Sequence, residues 1–134
     1  WVHYDLNAKR PAKITEELIS RYEPETKSVF EDSKLPKIDV PENYDTEIVV
    51  TPRRNDIDFN HHVHNLVYVD YAMESIPLEV YNNHNFKNIR ITYKSAVKSE
   101  EKIKVKSYSN EKTHTICIFG EDDNLKTLIE LTEF

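Results

Sequence analysis

Residues 63 to 76 read VHNLVYVDYAMESI. Val63, Val67, Tyr71, Ala72 and Ile76, joined by Leu66, Tyr68 and Met73, make an apolar helical face too broad to leave in water. Pro77 stops the helix. The downstream chain must cover this helix on most sides, and it is strand-like: Phe86 to Val97, Lys102 to Ser109, Thr113 to Phe119 and Leu125 to Phe134, separated by SEE, SNEK and EDDN. In KIKVKSY, Ile103 and Val105 alternate with lysines, so one face is dry and one wet. A further strand, TEIVVT from Thr46 to Thr51, precedes the helix and is stopped by Pro52. A curved antiparallel sheet of about five strands folded around one long helix satisfies this pattern. That is an α+β chain with a hotdog fold.

At 134 residues the chain holds one such core. Upstream, WVHYD reads as the end of a strand, which suggests a piece of a longer protein, and NAKRP breaks it. Ile14, Leu18, Ile19 and Tyr22 then fall at helical spacing, predicting a short helix from Ala12 to Tyr22 with Thr15 as its N-cap. Residues 23–45 carry three prolines and no sustained period, and their length predicts a linker between two domains.

Several function classes are excluded at this level. No apolar run approaches the roughly 18 to 20 residues of a membrane helix, and no basic-then-apolar leader opens the chain, so no membrane association is expected. The net charge of −6 and the lack of a basic cluster interleaved with aromatics argue against nucleic acid. The single cysteine, Cys117, sits in the apolar run THTICIFG and reads as a buried side chain rather than a nucleophile. Without a disulfide framework, the expected compartment is the cytoplasm. Gly120 is the one glycine, and asparagine-rich turns such as YNNHN take over where glycine would be usual.

Chemistry concentrates in DIDFNHHVHN, residues 56–65. It reads in three ways. Asp58 or Asn60 could cap the helix while the histidines face water. His61, His62 and His64 could ligate zinc or iron with Asp56 or Asp58, although adjacent histidines diverge and no standard spacing is matched. Or Asp58, Asn60 and His62, at alternate positions of an extended segment, point to one side near the amino end of the helix, where free amides favour a developing oxyanion.

The stretch RRNDIDFNHHVHNLVYVDYAMESIP resembles the signature of acyl-[acyl carrier protein] thioesterases, with Arg54, Asp56, Asp58, Asn60, His62, Val63, Asn65 and Tyr68 matching. WVHYDLNAKRPAKI resembles the end of that family's first hotdog repeat, and ITYKSAVKSEEKI the strand after the helix of its second. The resemblance implies that residues 1–44 are the end of a preceding repeat, a short helix and a linker, and that 45–134 are a hotdog thioesterase domain. It implies catalytic roles for Asp58, Asn60 and His62, hydrolysis of fatty acyl-[acyl carrier protein] to free fatty acid in fatty acid biosynthesis, no metal and no organic cofactor. The implied partners are acyl carrier protein and a second hotdog, as an intramolecular repeat or in a homodimer. Asn55, His64 and Tyr71 depart from the pattern. So does Ala96, which stands where the family carries a glutamate three residues after the strand tyrosine, here Tyr93. Ala96 keeps one alternative open, a non-catalytic acyl-binding or structural repeat; an acyl-coenzyme A thioesterase is a further rival within the enzyme class.

Overall fold

The computed structural model describes residues 3–8, 10–27, 35–83 and 85–134. It falls into two compact units, Trp1–Pro36 and Lys37–Phe134. In the first, β1 (His3–Asp5) pairs antiparallel with β2 (Arg10–Ala12), followed by α1 (Glu16–Tyr22). The expected break after Asp5 is the turn of this small hairpin, in which the Asp5 carboxylate accepts the amides of Asn7 and Ala8, both at 2.9 Å. Pro11 hides β2 from sequence reading, yet a two-stranded ribbon leaves each strand an unpaired side where proline is tolerated. Because Arg10–Ala12 is spent on β2, α1 starts at Glu16 instead of Ala12. Its cap is Thr15 as expected, with the Leu18 amide donating to Oγ1 at 3.3 Å.

The second unit contains β3 (Thr46–Val50), a single 3-10 turn (Arg54–Asp56), α2 (Val67–Ser75), α3 (Leu78–Asn83), β4 (Phe86–Tyr93), β5 (Ile103–Asn110), β6 (Thr113–Phe119) and β7 (Leu125–Glu133). The five strands form one antiparallel sheet in the order β3-β5-β6-β7-β4. On its concave face Ile103, Val105, Ile116, Ile118, Ile129 and Leu131 are buried against Tyr68, Tyr71, Ala72 and Ile76 of α2 and its end. Each such side chain contributes about 1.5–3 kcal/mol by leaving water. The carboxyl end of α2 is pinned by hydroxyls: Thr46 Oγ1 and Ser107 Oγ donate to the Ser75 carbonyl at 2.6 and 2.8 Å, which satisfies a helix-end acceptor.

The convex face is partly covered by the chain's own approach to β3. Tyr44 packs edge-on against Phe119, with ring centroids 6.3 Å apart. Cys117 is fully buried, and burial pushes its thiol up, so it is the inert side chain that the sequence suggests.

Two element boundaries of the second unit move by four residues from expectation. The central helix begins at Val67, not Val63. Val63 is buried as its spacing predicted, but it gets there on an extended segment whose amide donates to the Val97 carbonyl at 2.9 Å. Pro77 ends α2 and also opens α3, since its carbonyl accepts the Tyr81 amide at 3.0 Å. Finally, β4 stops at Tyr93 rather than Val97. There the amides of Lys94 and Ser95 both turn to the Lys126 carbonyl, freeing Val97 to pair with Val63.

Candidate functional site

The loop from β3 to α2 is assembled around Asp56. Its side chain is 3% exposed, accepts the Arg53 amide at 2.7 Å and the Tyr71 hydroxyl at 2.7 Å, and pairs with the Arg53 guanidinium at 2.9 Å. Burial alone would push Asp56 up, but the hydrogen bonds from Arg53 and Tyr71 outweigh it and hold the carboxyl below its usual range. Tyr71, which stands at a departure from the family pattern, therefore supplies the buried hydroxyl that seats the loop's anchor, Asp56.

From this anchor the chain makes a tight hairpin. Ile57 bridges Val63, the Asp58 amide donates to the His62 carbonyl at 2.8 Å, and the His61 amide donates to the Asp58 carbonyl at 3.0 Å. His61 sits at the end of that turn with φ 61°, a left-handed conformation that asparagine, aspartate and histidine adopt more readily than most side chains. Asp58 and His62 thus face each other across a turn, where alternation along an extended segment had been expected. Asn60 rides at the exposed tip. The Asp58 carboxylate accepts the amides of Asn60 and His62 at 2.8 and 3.1 Å, and the Asn60 side-chain amide also leans on it. The His62 amide first, then the Asn60 groups, hold Asp58 below the ordinary carboxylate range, which keeps it ionised.

Asp58 and His62 share an open cleft of about 200 Å³ with Val63, Asn65 and Tyr68 at the amino end of α2. Tyr93, Lys94, Ser95 and Ala96 form its other wall. Asn60 is not part of the lining. Tyr93 ties the walls together, donating its hydroxyl to the Asn65 carbonyl at 2.9 Å and meeting Tyr68 edge-on at 5.6 Å. The Tyr68 hydroxyl accepts the Val97 amide at 2.9 Å. Burial raises both tyrosines, so they remain neutral hydroxyls. Ala96 does face the cleft, but from the connection after β4 and not from a strand.

Neither Asp58 nor Asn60 caps α2. Its N-cap is Leu66, without a side-chain cap, and the Leu66 amide donates to His64 Nδ1 at 3.3 Å. Among the described residues, no group of three or more histidine, cysteine, aspartate or glutamate side chains is placed to hold a metal ion. Asn65 and Tyr68 were visible as matches to the family pattern. Lys94 and Ser95 gave no signal, because they become cleft residues only through the chain's turn toward Lys126. Arg53, not the pattern-matching Arg54, is the guanidinium on Asp56.

One helix held in a five-stranded antiparallel sheet, with an acid and an imidazole in a cleft at the helix's amino end, defines a hotdog domain. Residues 40–131 match the acyl-ACP thioesterase C-terminal domain, and the chain belongs to that family. Oleoyl-acyl carrier protein thioesterase 2, chloroplastic, of Arabidopsis thaliana is 30% identical over 111 residues, covering 75% of this chain and 30% of its own length. Palmitoyl-acyl carrier protein thioesterase, chloroplastic, of Cuphea hookeriana is 33% identical over 99 residues, covering 70% and 24%. The solved 12:0-ACP thioesterase from Umbellularia californica shares the fold with a TM-score of 0.81 at 18% identity, over 96% of this chain and 52% of that one. The chain thus spans about a third or less of these curated relatives and about half of the solved one.

Proposed function

We propose that the cleft hydrolyses fatty acyl-[acyl carrier protein] thioesters to free fatty acid. The observation that carries this reading is the placement of Asp58 and His62 in one cleft of a domain that belongs to the acyl-ACP thioesterase family. In the proposed reaction His62 takes a proton from water as its oxygen attacks the thioester carbonyl, and the ionised Asp58 stabilises the imidazolium. The tetrahedral oxyanion lies toward the amino end of α2, where peptide dipoles favour negative charge. Collapse breaks the C–S bond, and the thiolate leaves with the proton from His62. Asn60 holds the Asp58 carboxylate in place from the tip of the hairpin. No step draws on a metal or an organic cofactor.

We further propose that residues 45–134 form the domain, with 1–44 as the end of a preceding repeat and a linker, and that the domain pairs with a second hotdog. The cleft is smaller than the roughly 300–1,000 Å³ of ordinary ligand sites, so it fits the reacting end and not an acyl tail. Edge strand β4 also leaves Ile89 and Tyr93 about half exposed, a surface suited to a partner. The proposed compartment remains the cytoplasm expected from the sequence; the curated plant relatives are named chloroplastic.

The decisive experiment compares acyl-carrier-protein and acyl-coenzyme A thioesters of one chain length, with the parent and with His62→Ala. Turnover of the carrier-protein substrate that falls at least about 100-fold in His62→Ala supports the reading. Faster turnover of the coenzyme A thioester assigns a coenzyme A enzyme instead, and acyl binding without turnover assigns a non-catalytic repeat. Sedimentation that finds only unpaired domains at micromolar concentration would count against the second hotdog.

A further inference from the structure

Gly120 does not have a left-handed backbone, so conformational freedom does not explain it. Space does. A Cβ there would lie 2.2 Å from Lys126 Cε, 2.3 Å from Glu101 Oε1 and 2.8 Å from Asp122 Oδ1. The gap is filled by a charged knot in which Lys126 Nζ pairs with Glu101 at 3.1 Å and with Asp122 at 3.5 Å. The Lys126 and Glu101 side chains are only 11% and 16% exposed. A mostly buried ion pair is a poor source of stability, because desolvation consumes much of the attraction; what it fixes well is geometry.

The geometry fixed here leads to the cleft. The second Glu101 oxygen accepts the Lys98 amide at 3.0 Å, closing a turn in which Glu100 has φ 68°. The residues entering that turn lie along the candidate catalytic hairpin. The Val63 amide donates to the Val97 carbonyl at 2.9 Å, the Ser99 amide donates to the His61 carbonyl at 3.3 Å, and Lys98 bridges His62. One stretch of backbone therefore separates the Glu101 carboxylate from His62.

We propose that Glu101 is a positioning residue for His62: seated by Lys126 in the space left at Gly120, its carboxylate holds the Lys98 turn against which the His62–Val63 backbone is aligned. This rests on the reading of the cleft as a thioester hydrolase. A charge-assisted hydrogen bond is roughly twice as strong as a neutral one, and an error of about 1 Å in a reacting group can cost about 100-fold in rate. Glu101 supplies no proton to the reaction, since both its oxygens are engaged, one by Lys126 and one by the Lys98 amide.

The test uses the full chain with Glu101→Leu, Glu101→Gln and Gly120→Ala, read by amide hydrogen exchange, by the His62 ring resonances and by kcat and KM on an acyl-carrier-protein thioester. Glu101→Leu is expected to speed exchange at Val63 and Ser99 about 10-fold, with β6 core amides unchanged, and to lower kcat about 10-fold at constant KM. Gly120→Ala should do the same by evicting the pair. Glu101→Gln keeps an oxygen for the Lys98 amide and should recover most of both losses. Unchanged exchange at Val63 and Ser99 in Glu101→Leu and Gly120→Ala overturns the proposal, as does faster exchange with unaltered His62 resonances. Uniformly faster exchange, core included, also overturns it, since that marks a merely structural pair. If Glu101→Leu does not fold, Lys126→Met is read against the same outcomes. If the parent shows no turnover, the hydrolase reading fails by itself, and the His62 resonances and local exchange still decide this one.

Discussion

The two halves of the loop between β3 and α2 carry the same residue type two positions apart and use it in opposite ways. In the first half Asp56 is buried, and backbone amide, guanidinium and phenol hydroxyl all converge on its carboxylate. In the second half Asp58 lines an open cleft and takes its amides from the turn it belongs to. Both carboxyls are held below their usual range, Asp56 against a burial penalty and Asp58 by the backbone of its own hairpin. An ionised side chain can face a cleft in a fixed pose only if something else anchors the loop. Asp56 is that anchor, and Asp58 is free to be chemistry.

The widest separation between the halves should come from matched substitutions. Asp58→Asn keeps an oxygen for the two turn amides but loses the charge, so we expect turnover to fall about 1,000-fold while stability changes by less than about 1 kcal/mol. Asp56→Ala should reverse the pattern. Leaving the Tyr71 hydroxyl and the Arg53 amide without their acceptor should cost about 2–3 kcal/mol of stability in urea unfolding, with a smaller loss of turnover as the hairpin loosens. If Asp56→Ala stops turnover as fully as Asp58→Asn without lowering the urea midpoint, the division between anchor and chemistry is wrong.

The same contrast separates what the sequence makes legible from what it hides. Strand positions were legible where a period of two leaves one dry face, as in β5 with Ile103, Val105 and Ser107 buried in alternation, and β6 runs from Thr113 to Phe119 as expected although both its faces are covered. Val63 was legible as a core residue but not as a strand residue, since burial on a helix and burial on an adjoining extended segment give one apolar pattern. Asp58 and His62 were already one of three readings of the polar stretch, and the resemblance singled that reading out. The expected geometry was nonetheless different, because the left-handed residue at His61 that turns the segment back is not marked by glycine. Asp56 as anchor depends on Tyr71, fifteen residues away and on another element. Lys94, Ser95 and Glu101 come to the site through backbone turns that no local spacing announces.

Ala96 sharpens the comparison from the opposite wall of the cleft. Its side chain is exposed there, across from Asp58 and His62, so a carboxylate at 96 would enter a solvated space at little folding cost. Ala96→Glu should raise turnover about 10-fold, a fraction of the roughly 100-fold or more that a fully oriented general base supplies. Glu101 does not already fill this role, although the 98–101 turn brings it back toward Ala96, because Lys126 and the Lys98 amide hold its carboxylate. Unchanged turnover in Ala96→Glu alongside a dead Asp58→Asn would mean that the proton path lies wholly on the hairpin side.

The smallest expected effect is in acid. Because Asp56 has a folded pKa below its unfolded value, its contribution to stability is complete above the unfolded value of about 4 and is lost as pH falls through the lowered folded value. The gap in unfolding free energy between parent and Asp56→Asn should therefore be constant from pH 7 to about 5 and narrow below about pH 4. Asp58 shifts in the same direction, but its carboxylate is solvated. Asp58→Asn should leave the acid limb of the stability curve nearly parallel to the parent's. Urea midpoints measured across that range for the two variants separate a buried anchor from a solvent-facing acid without any assay of activity, and equal narrowing in both would dissolve the distinction.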